Sequence, residues 1–125
     1  MNEPATVYEA VGGRPFFDAL VERFYAGVES DTTLRPLYPP DLAGPRERLA
    51  GFLAQYWGGG DSHYSEARGH PRLRMRHAPF VVDIAAAEAW LHHMDAALRV
   101  AGLPVALEDQ MRTYFVNAAA HMVNG

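Results

Sequence analysis

Apolar residues recur at three- and four-residue steps through most of this 125-residue chain, and glycine or proline interrupts each run before it grows long. That period lays apolar side chains along one face of a helix, whereas a half-buried strand would need strict alternation. The first piece, Thr6 to Val11, ends at Gly12-Gly13 and is a short helix at best. The second begins at Pro15, a residue suited to a helix's first turn because its missing N–H has no partner to lose there. Its stripe is Phe17, Leu20, Val21, Phe24, Tyr25 and Val28. Asp31 and Thr32 are placed to cap a short turn through Leu34, and Pro36, Pro39 and Pro40 break the chain beyond it. A third helix is expected from near Pro45, with Leu49, Phe52, Leu53, Tyr56 and Trp57 inward and Gly58-Gly59-Gly60 stopping it.

Residues 60–72 read as a polar loop, and Leu73 to His77 as one helical turn ahead of Pro79. Asp83 is the expected N-cap of a fourth helix. Its stripe of Ile84, Ala87, Trp90, Leu91, Met94 and Leu98 ends at Gly102. Pro104 opens a last helix with Met111, Tyr114, Phe115, Ala118, Ala119 and Met122 inward. Val81-Val82 is too short to count as a strand, and no segment alternates with period two. The expected fold class is all-α, with four substantial helices in one domain over residues 1–125.

Apolar residues make up 49% and charged residues 21%, ordinary proportions for a chain with one core. No apolar run approaches the ~20 residues of a membrane helix. The start, MNEPATVYEA, has no basic stretch followed by an apolar one, so no secretory signal is expected. Cysteine is absent, which excludes disulfides, thiolate zinc sites, iron–sulfur clusters and a cysteine nucleophile. A cytoplasmic location is the expectation. The net charge of −4 argues against a general nucleic-acid binder. All 11 basic residues are arginine, so every fixed positive charge is a planar fork of donors. Arg68, Arg72, Arg74 and Arg76 fall within nine residues, with His70 and His77 among them.

Two features are not needed by a plain helical bundle. First, amphipathic aromatics occupy inward positions: Tyr25 in the second stripe, Trp90 in the fourth, and Tyr38 in the proline-rich turn. A buried phenol or indole needs a partner, since an unpaired donor costs about 1–3 kcal/mol. Either each finds a backbone carbonyl, or the three converge on a polar ligand in an apolar pocket. Second, His77 stands between Arg-Met-Arg and Ala-Pro-Phe, at the end of a turn that Pro79 prevents from continuing. One reading is a surface or capping histidine. The other is an imidazole ligand from a helix end, as in many haem proteins. Haem carries two propionates, and forked arginine donors beside His77, with Tyr64 and His70, are the kind of groups that stabilise partly buried carboxylates. The same basic stretch lacks an interleaved stacking platform for nucleic acid. His92 and His93 are neighbours on different helix faces, and no HExxH spacing occurs, so zinc is weakly supported. There is no nucleophile elbow, P-loop or dinucleotide fingerprint.

The sequence resembles the truncated, two-over-two haemoglobins, and within them group II. The resemblance is carried by Val11-Gly12-Gly13, Arg23-Phe24-Tyr25, Leu37-Tyr38-Pro39, Arg48-Leu49, Phe52-Leu53 and Gln55-Tyr56-Trp57-Gly58-Gly59. It continues through Tyr64-Ser65-Glu66, the run from Arg68 to Phe80, Trp90-Leu91 and Ala119-Ala120-His121-Met122-Val123-Asn124. It covers nearly the whole chain, and the run from Arg68 to Phe80 is its most specific part. One departure is the segment Gly-Gly-Gly-Asp-Ser-His-Tyr after Trp57, where the family has Gly-Gly-Pro and a shorter link.

The resemblance implies a two-over-two helical sandwich around haem b, with the proximal histidine falling on His77. The family's distal tyrosine falls on Tyr25, the tyrosine of the proline turn on Tyr38, and the group II tryptophan on Trp90. Leu49 and Pro45 fall at distal positions of the third helix, where many globins carry Gln or His. Phe52 and Leu53 would line the pocket wall, and Tyr64, His70, Arg74, Met75 and Phe80 would lie near the haem. A five-coordinate iron then takes dioxygen, nitric oxide, carbon monoxide or peroxide, and the donors of Tyr25, Tyr38 and Trp90 retain the ligand. Slow oxygen release fits redox work better than transport: nitric oxide dioxygenation first, peroxidase-like activity next, with an unidentified reductase as partner. The alternative is a non-catalytic carrier, store or sensor. A homodimer is left open.

Overall fold

The computed structural model describes residues 6–58 and 82–123. Its helices are α1 (Val7–Val11), α2 (Arg14–Glu29), α3 (Ala43–Gly58), α4 (Ile84–Val100) and α5 (Val105–Met122), with a 3-10 turn at Arg35–Leu37. No strand occurs among the described residues.

Local chemistry sets these boundaries. The Thr6 hydroxyl accepts the Glu9 N–H at 3.1 Å and starts α1. Gly12, at φ +99°, ends it in the left-handed region that costs glycine no Cβ clash. Pro15 lies in the first turn of α2, which begins one residue before it. Asp83 caps α4 by accepting the Ala86 N–H at 2.9 Å. Asp31 accepts the N–H groups of Thr33 (2.7 Å) and Leu34 (3.1 Å), so the turn after α2 is capped by Asp31. Pro36 does not break this segment. It sits in the opening of the 3-10 turn, where no N–H is required of it.

α2 and α3 pack on each other, α4 and α5 pack on each other, and α2 also lies against α4. This is a two-over-two arrangement, with α1 resting on α3. The expected stripes supply the core: Phe17, Leu20, Phe24 and Val28 of α2 are fully buried, as are Met94 and Leu98 of α4 and Met111 of α5. Each such side chain contributes about 1.5–3 kcal/mol relative to exposure. Arg23 Nε donates to the Ala97 carbonyl at 3.0 Å, a polar tie between α2 and α4. Two positions depart from the expected fourth stripe. Ile84 is 65% exposed because it is the first residue of α4, ahead of the turn that meets α2. Leu91 is only half-buried, at the edge of the stripe. No helix among the described residues is long and apolar enough to cross a membrane.

Candidate functional site

Tyr25, Tyr38 and Trp90 come from three separate elements and are brought together. Tyr25 is on the inward face of α2, Tyr38 follows the 3-10 turn, and Trp90 stands on α4. Tyr38 is extended (φ −121°, ψ 155°) and precedes two prolines. The carbonyls of such a segment have no ladder to join. Arg35 satisfies them: Nη1 donates to Tyr38 O (3.4 Å) and Pro39 O (2.9 Å), and Nη2 to Pro40 O (2.7 Å). The Tyr25 and Tyr38 rings meet edge to face with centroids 5.4 Å apart. Phe24 lies 4.9 Å from Tyr25 and 5.5 Å from Trp90, and Phe115 of α5 lies 6.1 Å from the Trp90 ring.

Their polar atoms converge as well. The Trp90 indole can only donate, so its bond to Tyr38 ends on the phenol oxygen. Burial pushes the Tyr38 phenol well above its ordinary pKa; Tyr25 adds to the rise and the Trp90 N–H opposes it. Tyr38 is therefore a neutral hydroxyl throughout the physiological range. The rings of Tyr25, Tyr38 and Trp90 thus gather around one place, with the Tyr38 hydroxyl between the other two polar groups.

Leu49, Phe52 and Leu53 of α3 are buried in the same core cluster as Tyr25 and Trp90. Pro45 is buried too. His77, Tyr64, His70, Arg74, Met75 and Phe80 lie outside the described residues. A flat apolar cofactor with one ligand-bearing face needs an apolar wall with donors gathered at one place. The described residues fit that requirement: Leu49, Phe52 and Leu53 are the apolar part and Tyr25, Tyr38 and Trp90 the donors. Trp57 Nε1, at the end of α3, is buried with no hydrogen-bond partner among the described residues.

Sequence reasoning missed the supports beneath Tyr38. Arg35 carried no distinguishing motif. His93 draws notice in the sequence only as a weak zinc ligand, yet it lies three residues after Trp90, on the same face of α4. Its Nε2 meets Asp31 Oδ2 at 2.6 Å. The available signal was a polar residue one turn on from Trp90, beside the apolar stripe of α4.

Known proteins agree with this architecture. The bacterial-like globin family matches residues 6–124. Group 2 truncated hemoglobin YjbI of Bacillus subtilis is 38% identical over 117 residues, 94% of this chain and 87% of that protein. The crystal structure of the hemoglobin from Chloroflexus aurantiacus is 50% identical, with a TM-score of 0.86 over 98% of this chain and 100% of that one. The truncated oxygen-avid haemoglobin from Bacillus subtilis is 38% identical, with a TM-score of 0.81 over 95% of this chain and 99% of that one. By the extent and level of these matches, the chain belongs to the bacterial-like globins, among the group II truncated haemoglobins.

Proposed function

We propose that this chain, as one domain over residues 1–125, holds haem b through His77 and uses Tyr25, Tyr38 and Trp90 to retain dioxygen for redox chemistry rather than transport. Membership of the family implies haem and gaseous ligands such as dioxygen. The observation that supports the finer reading is the meeting of Tyr25, Tyr38 and Trp90, from three separate elements, within an apolar surround. Haem, when bound, supplies a ferrous iron that takes a diatomic ligand and passes electrons.

The chain supplies the surroundings. The two phenols are donors at neutral pH, with the indole acting through Tyr38, and a diatomic ligand that gathers negative charge is held by such donors about twice as strongly as a neutral one. Tyr38 accepts from Trp90, and an accepted bond makes a hydroxyl a better donor. Leu49, Phe52 and Leu53 keep water away from that focus. Slow oxygen release is the expected result, and a relative described as oxygen-avid supports it. Retained dioxygen suits consumption of nitric oxide, NO + O2 + e⁻ → NO3⁻, with the electron delivered by an external reductase. Peroxide turnover is the next candidate. Tyr64, His70, Arg74, Met75 and Phe80 are assigned to the haem surroundings, and the cytoplasm to the protein's location.

Absorption spectra of the purified protein test the cofactor: as isolated, after dithionite, and after carbon monoxide, beside His77→Ala. A Soret band that moves with reduction and carbon monoxide, and is altered or lost in His77→Ala, is expected. Nitric oxide consumption with a reductant then tests the chemistry, nitrate forming in step with oxygen loss. A haem-loaded protein no faster than free hemin would leave a carrier or sensor, and failure to retain added hemin would end the haem reading.

A further inference from the structure

We infer that His93 and Asp31 form a positioning pair that holds Tyr38 against Trp90, and through that bond sets how slowly the ligand leaves. The inference rests on the reading of Tyr25, Tyr38 and Trp90 as ligand-holding residues. His93 Nε2 lies 2.6 Å from Asp31 Oδ2, and a carboxylate only accepts, so the imidazole donates. Both side chains are more than four-fifths buried, at 19% and 18% exposure.

Asp31 commits two of its three acceptor oxygens to the segment that ends in Tyr38 and the third to α4. Oδ1 takes the N–H groups of Thr33 and Leu34, the backbone carbonyl takes the Arg35 N–H at 2.8 Å, and Oδ2 faces His93. Arg35 then grips the carbonyls of Tyr38, Pro39 and Pro40. An unbroken set of bonds thus runs from α4, through Asp31 and Arg35, to the backbone of Tyr38. Trp90, which donates to Tyr38, sits one turn before His93 on the same helix. The frame and the bond it frames share both ends.

Gly27 gives the frame its room. It lies in α2, where a glycine lowers helix stability, and it needs no unusual backbone angle. A Cβ there would run into His93 Nδ1 and come within 3.0 Å of Cγ and Cε1. The atoms nearest a Cβ at Gly27 all belong to the His93 ring, so the imidazole explains that glycine.

A salt link that merely staples α2 to α4 would give the same picture, and the test separates the two. Arg23 already ties α2 to α4 through Ala97 O, away from Tyr38, so Arg23→Gln is the control for loss of a staple. The variants are His93→Ala, His93→Gln, Gly27→Ala, and Asp31→Ser, which keeps a turn-capping oxygen but is too short to reach His93. The readouts are hydrogen exchange of the Trp90 indole N–H by NMR, assigned with Trp57→Phe, the carbon monoxide stretching frequency of the haem-loaded protein, and the oxygen dissociation rate. We expect His93→Ala, Gly27→Ala and Asp31→Ser each to speed indole exchange, shift the carbon monoxide stretch and raise oxygen release about fivefold, the size of one neutral hydrogen bond. His93→Gln, which can still donate to Asp31, should restore most of the effect. The inference is overturned if His93→Ala and Asp31→Ser behave like Arg23→Gln: a lower melting temperature with indole exchange and ligand release unchanged. If His93→Ala does not fold, Gly27→Ala and Asp31→Ser decide by the same criteria. If Trp90→Phe itself leaves oxygen release unchanged, the ligand-holding reading falls, and indole exchange alone then decides whether His93 positions the pair.

Discussion

Around Tyr38, three aromatic side chains turn their polar atoms toward one another; around Tyr114, three others press ring against ring. The second cluster joins the end of α3 to α5. Tyr56 and Tyr114 lie 4.3 Å apart at 31°, and Trp57 stands edge-on to both at 5.1 and 5.3 Å. Trp57 Nε1 has no hydrogen-bond partner there among the described residues. Burial, with Tyr56 nearby, holds the Tyr114 phenol above its ordinary pKa. The same residue types therefore serve two ends. Ring faces build a core contact near Tyr114, and heteroatoms build a donor focus at Tyr38. A tyrosine or tryptophan in an apolar stripe does not mark a site; convergence of donors from separate elements does.

The largest expected effect comes from removing the ring that both aromatic partners of the first cluster lean on. Phe24 is fully buried and touches Tyr25 and Trp90. Phe24→Ala is expected to cost about 3–5 kcal/mol in denaturant unfolding. A loss under about 1 kcal/mol would mean that the cluster relaxes freely, against the dense packing expected of a core.

Next come the two tryptophans, which should part company. Trp90→Phe removes a donor to Tyr38, and oxygen dissociation should accelerate about tenfold, the value of ~1.4 kcal/mol. Trp57→Phe removes a donor that bonds to nothing among the described residues. It should leave oxygen dissociation unchanged and move stability by less than about 1 kcal/mol, because a phenyl ring keeps most of the packing against Tyr56 and Tyr114. Equal effects from the two variants would erase the distinction between the clusters.

Much of this was legible in the residues alone. The stripes of α2, α4 and α5 come from local periodicity, and Asp83 and Gly12 announce their roles through cap chemistry that needs no tertiary contact. Tyr25, Tyr38 and Trp90 stood out because each put a donor where an aliphatic residue would serve. What joins them was not legible. The Asp31–His93 pair spans 62 residues, and local sequence assigns Asp31 fully to its own turn. Arg35 reaches carbonyls only three to five residues on, but a guanidinium beside prolines has no fixed rule. Ile84 departs from its expected place because periodicity does not say which end of a helix reaches its neighbour.

The smallest expected effects concern carboxylates, and they contrast the Tyr38 frame with the outer face of α4 and α5. The bond from His93 holds Asp31 below the usual carboxylate range against the opposing effect of burial, with the Leu34 and Thr33 N–H groups assisting. Burial would raise Asp95, but Arg112 and Arg99 outweigh it, so it too is lowered. A carboxylate with a depressed folded pKa stabilises fully above its unfolded value of about 3.9, and that contribution fades as pH falls through the lower folded pKa. Neither group should therefore add slope to stability between pH 7 and about 5, and both should begin to lose stability only below about pH 4. Thermal unfolding at stepped pH reads this directly, and Asp31→Ser and Asp95→Ser should each flatten the acid limb. Oxygen release separates them, since only Asp31 belongs to the frame around Tyr38. Arg99→Ala sharpens the point. Its side chain is 69% exposed and Arg112 still holds Asp95, so stability should change by less than about 0.5 kcal/mol and release not at all. A change in oxygen release on Arg99→Ala would show that the α4–α5 surface communicates with Tyr38, and the frame would then have to extend beyond His93.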